Sequence, residues 1–356
     1  MKLNKKFWKN KKVFITGHTG FKGSWLSIWI KMMGANVAGF SLDPITKKNF
    51  FKLAKLKKIF DYDFRKNIQD FNSLDSSIKQ FRPSIIFHLA AQPQVLESYK
   101  HPFDTIKTNV IGTTNLLELT KKYKFIKSLV IITTDKVYKN SEKKIKFSET
   151  DSLGGDDIYS SSKASADIIS LSYYKSFFKK TNCGISTARA GNCIGGGDWT
   201  KFRILTDSTE AFLKNKKLLV RNPNSVRPWQ HVFEPLLGYI ILSQKNYGNL
   251  NKKFNGAWNF GPVNRTHLNV KQFVNLYKKK INSKSKIIFK KKVDSREKKF
   301  LDLLSIKSIK TLKWKPYLNI DQTLKLTADW YLAFKSKKNL LLFSQNQIAN
   351  FMKIIK

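Results

Sequence analysis

The chain has 356 residues, a hydrophobic content of 41% and a formal net charge of +43. This length allows one large domain or two unequal ones with an ample core. No run of about 18 apolar residues occurs, which excludes a membrane-spanning helix, and the two cysteines, Cys183 and Cys193, give neither a disulfide framework nor a metal-ligand pattern. The basic first twelve residues lack a following apolar segment, so we expect no signal peptide and a cytoplasmic location.

The positive charge comes mainly from lysine and is spread along the chain. Only eight of the 67 basic residues are Arg. This distribution favours a solvated lysine surface, with weak nonspecific attraction to polyanions, over a specific nucleic-acid or membrane site. Half of the arginines fall within residues 189–227: Arg189, Arg203, Arg221 and Arg227. A planar, bidentate guanidinium suits phosphate recognition, and structural pairing with a carboxylate is the alternative for each of them.

The first motif is a glycine-rich turn between an apolar strand, predicted at 13–16, and a helix, predicted at 24–33. Gly17 would make the tight turn after the strand, Gly20 would let the backbone approach a pyrophosphate, and Gly23 would let the helix pack closely on the sheet. The phosphates would then bind at the positive N-terminus of the helix. The alternative is a glycine-rich connection without a ligand, but the flanking strand and helix favour dinucleotide binding.

Strands and helices continue to alternate up to residue 190. Strands are predicted at 36–42, 84–89, 128–133 and 184–190, helices at 71–81, 104–123 and 160–180, and residues 47–66 are charged and irregular. Asp43 follows the second strand, where it could accept hydrogen bonds from an adenosine ribose or form a simple turn before Pro44. The alternation predicts an α/β fold with a doubly wound parallel sheet.

The alternation stops after residue 190, where glycines at 195–197 and several prolines interrupt the chain. We therefore predict a smaller C-terminal α/β lobe that closes over the carboxyl edge of the sheet and binds the substrate. The predicted dinucleotide-binding domain comprises residues 1–190 with a return segment near 229–257. The predicted second lobe comprises residues 191–228 and 258–356.

Two short segments carry groups suited to proton transfer. Tyr159 and Lys163 are four residues apart, so they share one face of a helix, and an ammonium there can lower the pKa of the phenol until it works as a base. Thr134 could hydrogen-bond the same substrate oxygen. A Tyr and a Lys at this spacing are common on surface helices, but together with the glycine turn they indicate a nicotinamide-dependent step.

Asp135 and Lys136 follow Thr134 directly. An aspartic acid could protonate a departing hydroxyl, and a lysine of lowered pKa could remove a proton from the neighbouring carbon. A dehydratase needs this second acid and base, whereas a simple alcohol dehydrogenase does not. The alternative is a surface salt bridge or a turn at the end of a strand.

The glycine turn resembles that of the extended, sugar-nucleotide branch of the short-chain dehydrogenase/reductases, and further segments resemble the CDP-glucose 4,6-dehydratase family. These segments are 17–26, 88–93, 133–138 (Thr-Thr-Asp-Lys-Val-Tyr), 153–163, 189–199 (Arg-Ala-Gly-Asn-Cys-Ile-Gly-Gly-Gly-Asp-Trp) and 221–232 (Arg-Asn-Pro-Asn-Ser-Val-Arg-Pro-Trp-Gln-His-Val). The similarity runs nearly end to end, as far as residues 347–348. The Asp-Lys pair and the last two segments distinguish this family from the dTDP-glucose dehydratases, which typically carry Asp-Glu.

The resemblance implies a Rossmann fold with bound NAD and a three-stage reaction on CDP-glucose. Tyr159, assisted by Thr134 and Lys163, would take the hydroxyl proton while carbon 4 is oxidised. Lys136 would remove the proton of carbon 5, and Asp135 would protonate the hydroxyl that leaves carbon 6. Hydride would then return to carbon 6, which regenerates NAD and gives the 4-keto-6-deoxy sugar.

The resemblance also implies the binding residues. Those expected at NAD are Gly17, His18, Gly20, Phe21, Lys22, Gly23, Asn67, Ile68, Leu89, Ala90, Ala91, Asn109, Tyr159 and Lys163. Those expected at the nucleotide sugar are Gln92, Asn192, Arg203, Arg221, Arg227, His231 and Arg296. Several positions depart from residues usual in the family, namely Asn67, Gln69, Leu96, Ile158 and Thr206, but none is an expected catalytic group.

Two other functions remain open on the sequence. One is an epimerase or dehydratase of the same branch acting on a different nucleotide sugar. The other is a non-catalytic protein that binds polyanions through its lysine surface. The branch commonly forms dimers through two long helices, so we expect a homodimer through the helices at 104–123 and 160–180, and we expect neither a specific nucleic-acid nor a membrane partner.

Overall fold

Alternating strands and helices make up the computed structural model, which describes residues 3–44, 46–140, 145–262, 267–290 and 301–355. The strands in these ranges are β1 Lys12–Thr16, β2 Asn36–Ser41, β3 Tyr62–Arg65, β4 Ile85–His88, β5 Ser128–Ile132, β6 Gly184–Arg189, β7 Cys193–Ile194, β8 Leu218–Val220, β9 Val226–Pro228, β10 Gln230–His231, β11 Gly256–Asn259, β12 His267–Asn269 and β13 Ile287–Phe289. The α-helices are α1 Lys5–Trp8, α2 Phe21–Met32, α3 Phe50–Leu53, α4 Phe71–Phe81, α5 Val95–Lys100, α6 Pro102–Ile106, α7 Gly112–Lys122, α8 Ile158–Tyr173, α9 Ile204–Leu213, α10 Phe233–Asn246, α11 Val270–Lys280, α12 Ile320–Lys335 and α13 Leu340–Ile354.

Seven of the described strands form one parallel sheet in the order β3-β2-β1-β4-β5-β6-β11. The chain proceeds outward from β1 through β2 to β3 and then crosses to β4 on the other side of β1. In such sheets ligands bind beyond the carboxyl ends of the strands at this reversal. The predicted α/β fold with a doubly wound parallel sheet is therefore confirmed, and its reversal lies between the glycine turn after β1 and the segment after β4.

Apolar side chains fill both faces of this sheet, as is typical of parallel strands covered by helices. Successive residues of β1 alternate between the two faces. Val13 and Ile15 pack with Trp25 of α2 on one face, and Phe14 packs with Leu117 of α7 on the other. Because both faces are buried, β1 is held firmly in register, and the turn that follows it has a fixed position.

Short strand pairs and helices follow the main sheet. The pairs are β7 with β10, β9 with β12, and β8 with β13. The last helix, α13, packs against α2, where the rings of Phe351 and Trp29 lie 5.7 Å apart. Part of the segment predicted to form the second lobe thus contacts the first, and the domain boundaries remain a prediction.

Residues 47–66 are not irregular, and the prediction for this segment was wrong. They contain α3, a 3₁₀ turn at Leu56–Ile59 and the edge strand β3. β3 is short and only partly buried, so the apolar alternation of Tyr62 and Phe64 is a weak signal among the many lysines nearby. The segment forms a strand because pairing with β2 satisfies its backbone.

Candidate active site

The glycine turn after β1 lies directly against the segment that follows β4. Gly17 has φ +73°, and a Cβ on it would overlap Leu89 and Ala90, while a Cβ on Gly23 would overlap the Gly17 carbonyl. The amide of Leu89 donates to the carbonyl of Thr16 at 3.1 Å. Only glycine therefore permits this close approach. The result is a closely packed backbone cradle at the N-terminus of α2, a helix that Gly20 caps and Phe21 and Lys22 begin. Ala91 continues the segment after β4 at the edge of this cradle.

A chain of polar contacts fixes the outer side of this cradle. His18 is buried, and its Nε2 lies 2.8 Å from Asp63. Asp63 in turn accepts a hydrogen bond of 2.9 Å from Arg65, whose guanidinium also lies 3.7 Å from Asp43. Burial works to raise the pKa of Asp63, but the bonds from His18 and Arg65 prevail and hold that pKa below its ordinary value. Asp43 thus makes an ion pair, and its side chain is 80% exposed.

Asn67 and Ile68, which are expected to bind NAD, form a tight turn beside α7. The side chain of Asn67 accepts from the amide of Gln69 at 3.1 Å. Ile68 is buried against Gly112, where a Cβ would overlap its side chain, and its carbonyl accepts from Asn115 at 3.2 Å. Asn67 and Ile68 are therefore held in place by their neighbours.

Asn109 connects the segment after β4 to α8. It lies in the π-helical segment Lys107–Ile111 between α6 and α7. Its side chain accepts from the amide of Gln92 at 2.8 Å and donates to Ser162 at 2.9 Å. Asn109 is buried, so it positions backbone near the cradle and does not present a free polar group.

Thr134, Asp135 and Lys136 follow β5 in a 3₁₀ turn at the carboxyl edge of the sheet. Thr134 caps the turn and donates to the Asp135 carboxylate at 2.9 Å. Burial raises the pKa of Asp135, whereas the charge of Lys136 and the bond from Thr134 work in the opposite direction. A carboxyl held in this way is suited to remain protonated and donate a proton.

Gly191 leaves the space that the Asp135 carboxyl occupies. A Cβ on Gly191 would overlap the carboxyl group, so any larger residue must displace it. Asp135 and Gly191 line a narrow cleft together with Pro228, Gln230, Gly261, Pro262 and Leu303. The acid thus lies where the sheet meets the segments that follow it.

We expect Gly191→Ala to lower turnover about tenfold or more, because displacing a packed group costs about 1–3 kcal/mol and moves the carboxyl from its place. Steady-state kinetics and the melting temperature would be measured together. Gly154→Ala is the matched control, since a Cβ there meets only Lys139 at 3.7 Å. Wild-type turnover in a folded Gly191→Ala protein would contradict a role for the Asp135 carboxyl.

Tyr159 is the second residue of α8, and Asp157 caps the helix. The sequence predicts that the pKa of the Tyr159 phenol is lowered toward neutrality, but the side chains around the phenol do not lower it below its ordinary value. Burial raises the pKa of Tyr159 above its ordinary value, while the neighbouring Thr134 hydroxyl and the charges of Arg203 and Lys22 lower it. The helix spacing places Lys163 beside Tyr159, but its ammonium donates to the carbonyl of Ile132 at 2.8 Å.

Lys163 is itself a perturbed group. Burial lowers its pKa to about 8, and Asp167 partly opposes this shift. The amine therefore loses its proton at a lower pH than an ordinary lysine does, and in its charged form it donates to the end of β5. Lys163 lies in the predicted place, although its contact in the structure is the strand and not the phenol.

Several predicted substrate residues converge on the catalytic turn. Asn192 donates to Asp135 at 3.5 Å. The charge of Arg227 lowers the pKa of Asp135, and that of Arg203 lowers the pKa of Tyr159. Arg203 is held by the buried Asp198 at 2.7 Å. The segments after β6 and before α9 thus bring positive charge to the carboxyl edge of the sheet.

His231 is fully buried in β10 beside this edge. Its Nδ1 accepts from the amide of Phe233 at 3.3 Å, and within the described residues its Nε2 has no hydrogen-bond partner. Burial lowers its pKa to about 3, so the ring is neutral. A neutral, unsatisfied ring nitrogen is available to a ligand, which leaves the predicted binding role open.

Other predicted residues lie elsewhere or are already engaged. The side chain of Gln92 bonds to Gln94 and to Thr105 at 2.9 Å. The charge of Arg221 acts on Asp207, where it opposes the rise in pKa that burial causes. Arg189 pairs with a carboxylate, which was the alternative to phosphate recognition. It is buried and lies 2.8 Å from Asp167. Arg296 lies outside the described residues.

Sequence reasoning missed two residues that shape the site. Asp63 anchors His18 but fell in the segment predicted to be irregular. Asp198 anchors Arg203. The alternation of Tyr62 and Phe64 around a single acid could have revealed β3, but no local pattern marks Asp198 as the partner of Arg203.

The groups around the glycine turn are suited to bind a dinucleotide, and the residues that the structure describes form no metal centre. The glycine cradle, which a Cβ at Gly17 or Gly23 would fill, is the space that a pyrophosphate requires at a helix N-terminus. Across the described ranges, no group of three or more His, Cys, Asp or Glu residues is arranged to hold a metal ion.

The known proteins that this chain resembles include sugar-nucleotide dehydratases and an epimerase. Residues 14–327 match the family described as GDP-mannose 4,6 dehydratase. A CDP-glucose 4,6-dehydratase of Salmonella typhimurium is 39% identical over 98% of this chain and 98% of its own. The solved dTDP-glucose 4,6-dehydratase of Bacillus anthracis, in complex with NAD, is 26% identical with a TM-score of 0.76, covering 93% of this chain and 99% of that one. A UDP-glucose 4-epimerase of Thermotoga maritima, solved with UDP-glucose, has a TM-score of 0.79 over 91% and 99% of the two chains at 21% identity, a likeness of fold alone.

Proposed function

Because the chain belongs to the GDP-mannose 4,6-dehydratase family, we propose that it is an NAD-dependent hydro-lyase that converts CDP-glucose to CDP-4-keto-6-deoxyglucose. One observation carries the proposal. The Asp135-Lys136 pair lies at the same strand end as Thr134, which borders Tyr159. An epimerase needs one acid–base group at carbon 4, whereas this edge of the sheet offers a second pair for the removal of water.

The side chains divide the proton transfers among them. Tyr159 accepts the proton of the carbon 4 hydroxyl, with Thr134 as its hydrogen-bond neighbour. Asp135, whose pKa is raised by burial, donates its proton to the hydroxyl that leaves carbon 6. Lys136 removes the proton of carbon 5, which the ketone at carbon 4 has made acidic. NAD, when bound, supplies a reversible acceptor for hydride.

Positive groups around the catalytic turn suit the diphosphate of a nucleotide sugar. Arg203 and Arg227 approach from different segments, α9 and β9, so they can hold one ligand from two sides. A guanidinium binds phosphate oxygens in pairs and remains charged at every relevant pH. Asn192 completes this set beside Asp135. The choice of CDP rests on the 39% identical relative.

The proposal is tested by incubating the purified protein with CDP-glucose, dTDP-glucose and UDP-glucose in parallel. We expect the alkaline absorbance of a keto sugar, and a product lighter by one water in mass spectrometry, with CDP-glucose. Turnover of dTDP-glucose alone would refute the choice of nucleotide. Epimerised sugar without loss of water would refute the dehydratase assignment altogether.

A homodimer is part of the same proposal. The helices predicted to form it, α6–α7 and α8, pack together in the chain and expose large apolar side chains. Phe103 is 65% exposed, and Ile111 and Ile168 are 47% and 49% exposed. Exposed large apolar side chains on neighbouring helices are typical of a protein–protein interface.

None of the described helices is long and apolar enough to cross a membrane. Two free cysteines suit the reducing cytoplasm, which is the proposed location.

We expect the double substitution Phe103→Glu/Ile111→Glu to convert a dimer to a monomer, since buried like charges oppose association. Light scattering after size-exclusion chromatography measures the mass. Leu342→Glu, at a side chain of α13 that is 54% exposed, is the control. A dimer that persists in the double variant would place the interface elsewhere.

A further inference from the structure

One buried ion pair holds the catalytic turn, residues 134–137, at both of its ends. Before the turn, the hydroxyl of Thr133 donates to the carboxylate of Asp167 at 2.9 Å. After the turn, the hydroxyl of Tyr138 accepts from the guanidinium of Arg189 at 2.8 Å. Asp167 and Arg189 pair with each other at 2.8 Å, and both are buried. The two residues that flank the catalytic turn are therefore connected through a single pair of charges.

The orientation of this ion pair is fixed. Arg189 ends β6 and donates to the Asp167 carboxylate through two nitrogens, Nε at 2.9 Å and Nη2 at 2.8 Å. Thr187 of the same strand donates to the same carboxylate at 2.9 Å. Bidentate bonds between charged groups set the direction of a guanidinium as well as its distance. The remaining nitrogen, Nη1, is thereby directed at Tyr138.

The phenol of Tyr138 is confined on its other sides as well. Its ring stacks on that of Phe147 with the centres 5.0 Å apart. Its hydroxyl donates to Asn259 of β11 at 2.7 Å. Because Tyr138 is only 2% exposed, water does not replace these partners. A buried network whose members are satisfied favours one arrangement, so the end of the catalytic turn has a fixed place.

The contacts inside the catalytic turn are long by comparison. The amide of Val137 lies 3.5 Å from the carbonyl of Thr134, and the amide of Lys136 lies 3.4 Å from the Thr134 hydroxyl. One bond from outside, from the amide of Gly154 to the carbonyl of Val137, is 2.8 Å long. The position of Lys136 therefore depends on how the ends of the turn are held.

We propose that Arg189 and Tyr138 are positioning residues of the elimination step, and that their hydrogen bond holds Lys136 within reach of carbon 5. This inference rests on the proposed function. The front of the turn has an anchor of its own, because the amide of Thr133 donates to the carbonyl of Ala188 at 2.9 Å. Oxidation at carbon 4, which uses Thr134 at the front, therefore depends less on this hydrogen bond than elimination does.

The test is Tyr138→Phe in the holoenzyme, which removes the hydroxyl and leaves the ring on Phe147. We expect kcat for CDP-glucose to fall about tenfold with little change in KM, because a misplaced base slows its own step. The isotope effect on kcat with deuterium at carbon 5 should also exceed that of the wild type, since proton removal becomes the slower step. A smaller folded fraction would lower kcat without changing the isotope effect.

Tyr277→Phe is the matched control. Tyr277 lies in α11 and is also fully buried, and its hydroxyl is bonded to that of Thr209 at 2.8 Å. This substitution also removes one buried hydroxyl, so it should lower the melting temperature. It should leave the isotope effect at carbon 5 unchanged.

Arg189→Lys tests the other partner of the same bond. Lysine keeps the positive charge beside Asp167 but lacks the planar fork that bonds the carboxylate and the Tyr138 hydroxyl together. It should show the same rise in isotope effect. The double variant Tyr138→Phe/Arg189→Lys should lose no more activity than the single variants, because both remove one interaction. Losses that multiply in the double variant would contradict the inference.

A further readout needs no substrate, so it separates this inference from the proposed function. Amide hydrogen exchange in the peptide spanning residues 134–139 should be faster in Tyr138→Phe than in the wild type or in Tyr277→Phe. This result is expected whether or not CDP-glucose is turned over. Unchanged exchange together with an unchanged isotope effect in folded Tyr138→Phe would overturn the inference, and would leave Arg189 with a structural ion pair only.

Discussion

Replacing Tyr159 with Phe is expected to lower the rate of dehydration by at least about 100-fold, because the substitution removes the oxygen that accepts the carbon 4 proton. The change deletes one hydroxyl at a position whose ring is buried, so the fold should be retained. Binding of NAD should also persist, since the glycine cradle is unaffected. The measurement is kcat for CDP-glucose together with the NAD content of the purified variant.

Tyr173→Phe is the matched control for this experiment. Tyr173 lies on the same helix, and its hydroxyl donates to Glu118 at 2.7 Å, away from the catalytic turn. It should retain wild-type kcat. A Tyr159→Phe protein with comparable activity would show that another group accepts the proton, and would favour the non-catalytic alternative for the Tyr-Lys pair.

Replacing Lys136 with Ala should stop the reaction at a later stage. Carbon 4 can still be oxidised, since Tyr159 and Thr134 remain, but the proton of carbon 5 has no base. We expect dehydration to fall by about 100-fold or more while reduced cofactor accumulates on the enzyme. Single-turnover absorbance of the reduced nicotinamide and assay of the keto product separate these two events.

Lys139→Ala provides the comparison, because Lys139 follows closely in sequence but is exposed. It should show no accumulation of reduced cofactor and unchanged product formation. Wild-type dehydration in Lys136→Ala would count against its assignment as the base. Loss of both oxidation and elimination would indicate that Lys136 binds the substrate and does not act on carbon 5.

The glycine turn could be predicted because its requirements are local. A side chain at Gly17 would overlap Leu89, and a side chain at Gly23 would overlap the carbonyl of Gly17. Both positions therefore require glycine. Five of the seven strands of the sheet, β1, β2, β4, β5 and β6, could also be predicted, since buried parallel strands are apolar, whereas β3 and β11 were not predicted.

The side-chain partners could not be predicted, because they are brought together by tertiary packing. Arg189 and Arg203 are alike in the sequence, yet one is buried against Asp167 and the other reaches the catalytic edge. Lys163 has the helix spacing that should place it on Tyr159, but a strand carbonyl binds its ammonium. No individual helix was predicted after residue 190, and the packing of α13 on α2 joins distant parts of the chain.

The central claim is that one cleft oxidises carbon 4 and removes water from carbons 5 and 6 of the same sugar. It is tested most directly with CDP-glucose that carries deuterium at carbon 4. The account predicts a product lighter by one water, with the deuterium transferred to carbon 6. A product that retains deuterium at carbon 4, or a sugar that loses no water, would contradict it.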